Sequence, residues 1–378
     1  MFFSVNLVVV FLATSCLIFF SLLKINFLLR KFLLFPFTFL YGIAIALRNF
    51  CYATKILKSV EFEAKIISVG NLSLGGTGKT PHIEYLVKLL EENNIHVATL
   101  SRGYRRKTNG FILADENSTA NEIGDEPFQI KQKFPSASVA VCVDRVAGVS
   151  ELISIDENVK AILLDDAFQH RAIKPGLNIL LTEFEKLFCD DWLLPSGNLR
   201  EYRSGSKRAD IIIVTKCDEE RVKNQEPRVK TKIKLGEKQK LFFSTFSYGN
   251  PYSILDPKAK KILTKDISVV PVSALADAKK FNEHIKNNSK EVIEFNYFDH
   301  HYFSEGEMNE WITSYDEMFG EKIILTTEKD AARIKLHPGW LKEHGNKVFV
   351  LPIEVKFLFE QQETFNRLIF DFINNKNS

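Results

Sequence analysis

The sequence predicts an α/β protein: a parallel sheet carrying a phosphate-binding loop, a second α/β lobe, and an N-terminal membrane helix. Three observations predict it. From Ala64 onward, short apolar runs alternate with helix-like stretches, the pattern of parallel strands covered on both faces. A glycine-rich segment, Ser73–Thr80, stands where a strand gives way to a helix. The first 23 residues carry no charge, enough chain to cross a bilayer core of about 20 helical residues. The 378 residues are 45% hydrophobic and include 32 Phe, with 50 Lys+Arg against 47 Asp+Glu. This balance excludes an intrinsically disordered chain, and no 20–50-residue repeat points to a solenoid.

In chain order, Met1–Leu23 is expected to form an uncleaved anchor. It lacks a charged leading region, and no small-residue cleavage site precedes Lys24. Residues 1–60 contain no Asp or Glu but six cations: Lys24, Arg30, Lys31, Arg48, Lys55 and Lys58. These hold the flank on the cytoplasmic side and suit an anionic lipid surface. The rest of the chain is net acidic, which argues against a nucleic-acid partner. A second uncharged run, Phe32–Leu47, is interrupted by Pro36 and Gly42. It is short for a span and is expected to lie either partly in the bilayer or at its interface.

Strands are expected at Lys65–Val69, His96–Leu100, Val139–Val143, Ala161–Leu164, Leu177–Leu181 and Asp210–Val214. A charged, irregular stretch follows Lys216. A second set is expected at Ser268–Val272, Val292–Tyr297, Lys322–Thr326 and Val348–Leu351, with a closing helix over Glu360–Asn374. The expected domains are 1–60 (anchor), 61–225 (a P-loop NTPase-like parallel sheet) and 226–378 (second α/β lobe). The five cysteines form no CxxC pair and show no zinc spacing.

Ser73, Leu74, Gly75, Gly76, Thr77, Gly78, Lys79 and Thr80 form the phosphate-binding loop. Glycines let backbone N–H groups curl around phosphate oxygens, and the helix N-terminus adds partial positive charge. Lys79 is placed to reach the β/γ-phosphates of ATP and Thr80 to ligate Mg²⁺. Ser73 stands where the motif usually has its first Gly. Asp165 and Asp166 end an apolar run, where acids are costly without a metal or a cation, and mark the Mg²⁺ side. Thr215-Lys-Cys-Asp218 ends another strand and resembles a base-reading loop of GTPases, though four residues of this kind often just close a strand. Gly124-Asp-Glu-Pro127 and Phe298-Asp-His-His-Tyr302 offer a carboxylate and imidazoles for taking an alcohol's proton.

These blocks, in order, resemble the tetraacyldisaccharide 4′-kinases of lipid A synthesis. The resemblance runs from Phe32 to Asn374. It is carried by Ser68-Val-Gly-Asn71 with Gly75-Gly-Thr-Gly-Lys-Thr-Pro81, Ser101-Arg-Gly-Tyr104, Gly124-Asp-Glu-Pro127 and Asp165-Asp-Ala-Phe-Gln-His-Arg171. Leu194-Pro-Ser-Gly197 with Leu199-Arg-Glu201, Phe298-Asp-His-His301 and Thr326-Thr-Glu-Lys-Asp330 complete it. Ala167 replaces the family's usual Gly, and Ser196 and Asn198 also depart from it. The resemblance implies two α/β/α lobes joined by a two-stranded linker, with a membrane helix at the cytoplasmic face of the inner membrane. It implies ATP-dependent phosphorylation of the 4′-hydroxyl of a tetraacylated glucosamine disaccharide 1-phosphate, giving lipid IV-A. By the same resemblance Asp125 is the general base, paired with His300 or, failing that, His301. Asp165 and Asp166 arrange Mg²⁺ and charge around ATP, and Gln169, His170, Arg145, Arg200 and Glu201 lie near the site. Arg102, Arg105, Arg106 and Lys107 are expected either to hold the substrate's 1-phosphate or to form a solvated face. The rival reading is a membrane-associated P-loop switch ATPase. Leu74 stands where that class carries an additional Lys.

Overall fold

The computed structural model describes residues 27–275, 277–299 and 301–375, with side chains from Phe32 onward. Packing sorts the chain into two units. One gathers the chain through Arg102, Asp144–Thr245 and Lys356 onward; the other gathers Gly103–Val143 and Phe246–Val355. The sequence places the domain break at 225/226. The packing instead puts Asp125 in the second unit and returns the C-terminal helix to the first.

In the first unit the strand Lys65–Asn71 is central. It pairs in parallel with Ala161–Asp165 (Val69 opposite Asp165) and with Leu177–Glu183 (Val69 opposite Ile179). Val97–Ser101 extends one side, and Ile211–Thr215 followed by Lys240–Tyr248 extends the other, all in parallel. Ile66–Asn71, Ala161–Asp165 and Ile211–Thr215 are buried throughout, which is why they read as mostly apolar runs without polar alternation. The helix Lys79–Glu91 covers one face with Ile83, Leu86, Val87 and Leu90. The closing helix, Gln362–Asn374, belongs here because of an aromatic cluster. Phe365 stacks on Phe357 at 4.4 Å, Phe242 meets both edge-on, and the Tyr85 hydroxyl donates to Asn366 Oδ1 at 2.7 Å.

The N-terminal helix runs Phe27–Ala53 without a break at Pro36. The uncharged run Phe32–Leu47 is therefore part of one continuous helix. Its segment Phe32–Ala53 is long and apolar enough to cross a membrane by length and composition. The span expected at Met1–Leu23 lies outside the described residues. Leu34, Thr38, Tyr41 and Ile45 form the buried stripe, at the spacing of one helix face. Phe32, Phe35, Phe37, Phe39, Leu40, Ile43, Leu47 and Phe50 are exposed. The buried stripe packs on Leu74, Leu193 and Leu194. Thr38 Oγ1 donates to Ser196 Oγ at 2.7 Å, and the Tyr41 hydroxyl donates to the Arg200 carbonyl at 2.6 Å.

The second unit has its own sheet. Ser268–Ser273 is flanked in parallel by Phe295–Asn296 and Lys322–Thr327. Val348–Leu351 follows in parallel, and Tyr252–Ser253 joins antiparallel. The core here centres on Trp311, fully buried, with Phe303 edge-on at 4.9 Å and its indole N–H on the Tyr297 hydroxyl at 2.8 Å. A buried indole with its polar atom satisfied keeps the full hydrophobic gain. The strand expected at Val139–Val143 forms as Ser138–Val141, pairs antiparallel with Ile112–Leu113, and falls in this unit. Helix Asp125–Lys133 lies against helix Glu328–Ile334.

Candidate active site

The phosphate-binding loop follows the central strand directly. Asn71 and Asp165 close adjacent parallel strands, at the carboxyl ends where open α/β sheets bind ligands. Gly75 (φ 111°) and Gly78 (φ 87°) take left-handed backbone, which side-chain-bearing residues avoid. Gly78 is the residue at which helix Lys79–Glu91 starts, so its conformation turns the chain into that helix. Ser73 needs no such freedom. It bridges antiparallel to Leu199, the Leu74 N–H donates to the Asn198 carbonyl at 2.7 Å, and the Arg200 N–H donates to the Leu72 carbonyl at 2.7 Å. The segment Leu194–Arg200 thus braces the entry to the loop. Asn71 Nδ2 donates to Thr77 Oγ1 at 2.9 Å, and Thr215 Oγ1 donates to the Thr77 carbonyl at 2.9 Å. Thr215 is thereby committed to the loop, Lys216 pairs with Glu183 at 2.7 Å, and Asp218 caps helix Glu219–Ile233. That stretch supports the fold, and its Asp is a helix cap instead of a base-reading group.

His82 escaped sequence reasoning. It is fully buried one turn into the helix, with Nδ1 2.7 Å from the Gly78 carbonyl and Nε2 3.1 Å from Ser244 Oγ. Burial pushes its pKa down to about 4, so the neutral ring serves as a strut beneath Gly78.

Opposite Lys79 stands Asp166, with φ 49°. Lys79 Nζ is 3.8 Å from Asp166 Oδ1, and Arg200 Nη1 reaches Oδ1 and Oδ2 at 2.7 and 2.9 Å. Burial pushes the Asp166 carboxyl up, but Lys79, Arg200 and Arg102 outweigh it and hold the group well below the usual carboxylate range. Glu201 is fully buried, accepting from Arg208 at 2.7 Å and Gln169 at 3.1 Å, and Gln169 also donates to the Asn71 carbonyl at 2.8 Å. Arg145 donates to the Asp165 carbonyl at 3.3 Å. His170 is pushed down to about 4 by burial, then by Arg145 and Arg102. The expected residues Lys79, Asp165, Asp166, Gln169, Arg145, Arg200 and Glu201 are thus brought into one connected set.

The residues of the basic cluster have different neighbours. Arg102 acts on Asp166, Arg105 lies over the Tyr104 ring at 5.7 Å, and Arg106 donates to the Gly110 carbonyl at 2.6 Å.

In the second unit Asp125 opens helix Asp125–Lys133 and is 6% exposed. Gly124, at φ 94°, delivers it there; a Cβ at that position would lie 2.9 Å from the Tyr104 carbonyl. Arg333 Nε and Nη2 donate to Asp125 Oδ2 at 3.0 and 2.7 Å, and Nη1 donates to Asp330 Oδ1 at 2.9 Å. His300 lies outside the described residues. His301, the fallback, has its Nε2 2.9 Å from Glu307 Oε1 and stacks on Tyr297 at 4.7 Å. Arg333 was missed in the sequence; its signal was the spacing to Asp330, three residues earlier on a helix.

Among the described residues no group of three or more His, Cys, Asp or Glu forms a metal site. Mg²⁺ does not need one, because it is usually held by one or two carboxylates together with substrate phosphates and water. Thr80, the last residue of the loop, and Asp165 and Asp166, at the end of the adjacent strand, offer oxygen atoms of that kind.

Comparison with known proteins places the chain. The family model for tetraacyldisaccharide-1-P 4′-kinase matches residues 30–374. A tetraacyldisaccharide 4′-kinase of Flavobacterium johnsoniae is 45% identical over 335 residues, covering 89% of this chain and 95% of that protein. One from Bacteroides thetaiotaomicron is 42% identical over 361 residues, covering 91% and 94%. A crystal structure of LpxK from Aquifex aeolicus in complex with ATP aligns with a TM-score of 0.68 at 29% identity, covering 91% of this chain and 99% of that one. The loop, its acidic partner and the buried Asp125 therefore stand in a chain that belongs to the tetraacyldisaccharide 4′-kinase family.

Proposed function

We propose that, in the ATP-dependent lipid A 4′-kinase reaction that family membership assigns to this chain, Asp125 takes the proton of the acceptor hydroxyl. The acceptor is the 4′-hydroxyl of a tetraacylated glucosamine disaccharide 1-phosphate. The oxygen bonds to the γ-phosphorus of ATP as the γ-phosphorus–oxygen bond to ADP breaks, and the proton passes to the Asp125 carboxylate. The products are lipid IV-A and ADP. Gly75–Gly78 and the start of helix Lys79–Glu91 present N–H groups to the phosphates, and Lys79 offsets their charge. Arg200 and Arg102 add positive charge beside Asp166, suited to the negative charge that the transferring group carries. When bound, Mg²⁺ supplies charge neutralisation at the β/γ-phosphates; Thr80, Asp165 and Asp166 would hold it. His300 is the proposed imidazole partner of Asp125, because His301 is engaged by Glu307 and Tyr297.

The observation that carries the reading is the Lys79–Asp166–Arg200 cluster at the mouth of a glycine loop. The decisive experiment incubates the full-length protein with labelled ATP and the lipid disaccharide and separates the lipid phase. Label is expected in the lipid. Asp125→Asn is expected to lower turnover by about 10²–10⁴-fold while leaving ATP binding intact; retained turnover would remove Asp125 as base. Hydrolysis of ATP without lipid labelling would favour the switch-ATPase reading.

We also propose that helix Phe27–Ala53 holds the enzyme at the cytoplasmic face of the inner membrane, where its substrate resides. Its exposed row of Phe, Leu and Ile supports this. Full-length protein is expected to float with vesicles containing anionic lipid.

A further inference from the structure

We propose that Arg333 is the positioning residue of the phosphoryl transfer, and that the Thr327–Arg333 segment is a clamp which fixes the Asp125 carboxylate. The inference rests on the reading of Asp125 as base and adds what holds that base. The clamp starts with Thr327, which caps helix Glu328–Ile334 by accepting the Asp330 N–H at 3.1 Å. Asp330 accepts in turn from Thr327 Oγ1 at 2.7 Å and from the Ala274 N–H at 3.0 Å. So fixed, it receives Arg333 Nη1, and the other edge of the same planar guanidinium closes on Asp125 Oδ2. All three side chains are at most 6% exposed. A rigid fork bonded along two edges has one orientation, and it imposes that orientation on the carboxylate.

The neighbouring residues of the segment extend the grip. Glu328 pairs with Lys133, at the far end of the helix that Asp125 opens, at 2.7 Å. Lys329 pairs with Asp299, on the loop before His300, at 2.9 Å. The Thr-Thr-Glu-Lys-Asp block, which has no part in the phosphate loop, thereby acquires a task. It anchors the base helix at both ends and the histidine loop at one point.

The charged groups around Asp125 on the packed elements are Arg333 and Asp330 on helix Glu328–Ile334, and Glu122, whose carboxylate caps Thr119. Asp299, held by Lys329, and His301, whose carbonyl is 3.5 Å from Arg333 Nη1, come from the adjoining loop. Arg333 is a cation hydrogen-bonded to Asp125, so the acid limb of the kcat profile is expected to respond to its loss.

The test measures kcat, both KM values and the kcat–pH profile for Arg333→Met and Arg333→Lys. Arg333→Met is expected to lower kcat on the order of 10²-fold, with the acid limb moved up by about one unit or more. KM for ATP should stay within about twofold, since the phosphate loop is untouched. Arg333→Lys restores the charge but not the fork, and is expected to return the acid limb toward its wild-type position while leaving kcat lowered on the order of 10-fold or more. An Arg333→Met enzyme with unchanged kcat and acid limb overturns the proposal, as does an Arg333→Lys enzyme with wild-type kcat. Should Arg333→Met fail to fold, Arg333→Lys decides alone: a wild-type kcat overturns the proposal. Asp125→Asn, measured alongside, separates the two readings. Full activity there removes the base itself, whatever Arg333 does.

Discussion

Each unit of the molecule holds an aspartate against an arginine, and the two pairs are built differently. Asp166 is 33% exposed, with Arg200 at 22% and Lys79 at 12%. Asp125 is 6% exposed against an Arg333 side chain that is fully buried. A partly solvated pair is screened and exchanges partners readily. Lys79 and Arg200 can therefore change partners without a large change in energy. A sealed pair cannot, because separating it strands a charge away from water. The difference teaches a division of labour: the first aspartate sits among cations open to exchange, and the second is itself kept in place.

The comparison breaks most visibly in stability. Arg333→Met leaves Asp125 and Asp330 buried without their cation and is expected to cost about 3–5 kcal/mol in urea unfolding. A cost under about 1 kcal/mol would show that the sealed pair is no different from an exposed one. The next effect is on pH. His82 and His170, both in the first unit, are neutral when folded, with pKa values of about 4 against an unfolded value near 6.5. The unfolded chain therefore binds more protons below pH 6.5, and stability present above that pH is lost as pH falls toward 4. Between pH 7 and 5 the loss is about 2 kcal/mol for each ring. His82→Gln, which does not titrate, should flatten its share of that slope; an unchanged slope would remove His82 as a source. The smallest effect is on the solvated pair, where Arg200→Met is expected to change stability by no more than about 1 kcal/mol while still impairing turnover.

What could be read from the sequence was what neighbours in sequence decide. The Gly75–Thr80 loop, the Asp165–Asp166 pair and Asp125 at a helix start are local patterns, and the strands around them followed from burial on both faces. What escaped was decided by residues far apart in the chain. Arg333 meets Asp125 across 208 positions of sequence, and Ser73 tolerates the loss of a glycine because Leu199 pairs with it. Nothing local to Gln362–Asn374 shows that its Phe365 packs on Phe242, so the division into units was placed too simply. Pro36 was read as an interruption, yet the missing N–H of one residue does not end a helix held on one side by Thr38, Tyr41 and Ile45.

The Tyr41 hydroxyl hangs from the carbonyl of Arg200, the residue whose guanidinium grips Asp166. One helical turn of apolar rod is thus bolted to the cation that holds Asp166 beside the phosphate-binding loop. Gly42 lies against the ring tip of Tyr202, so a Cβ there would push that side chain aside. Trimming the rod to obtain a more tractable protein would withdraw the peg on which Arg200 is hung. Such a shortened enzyme is expected to lose affinity for nucleotide as well as for lipid.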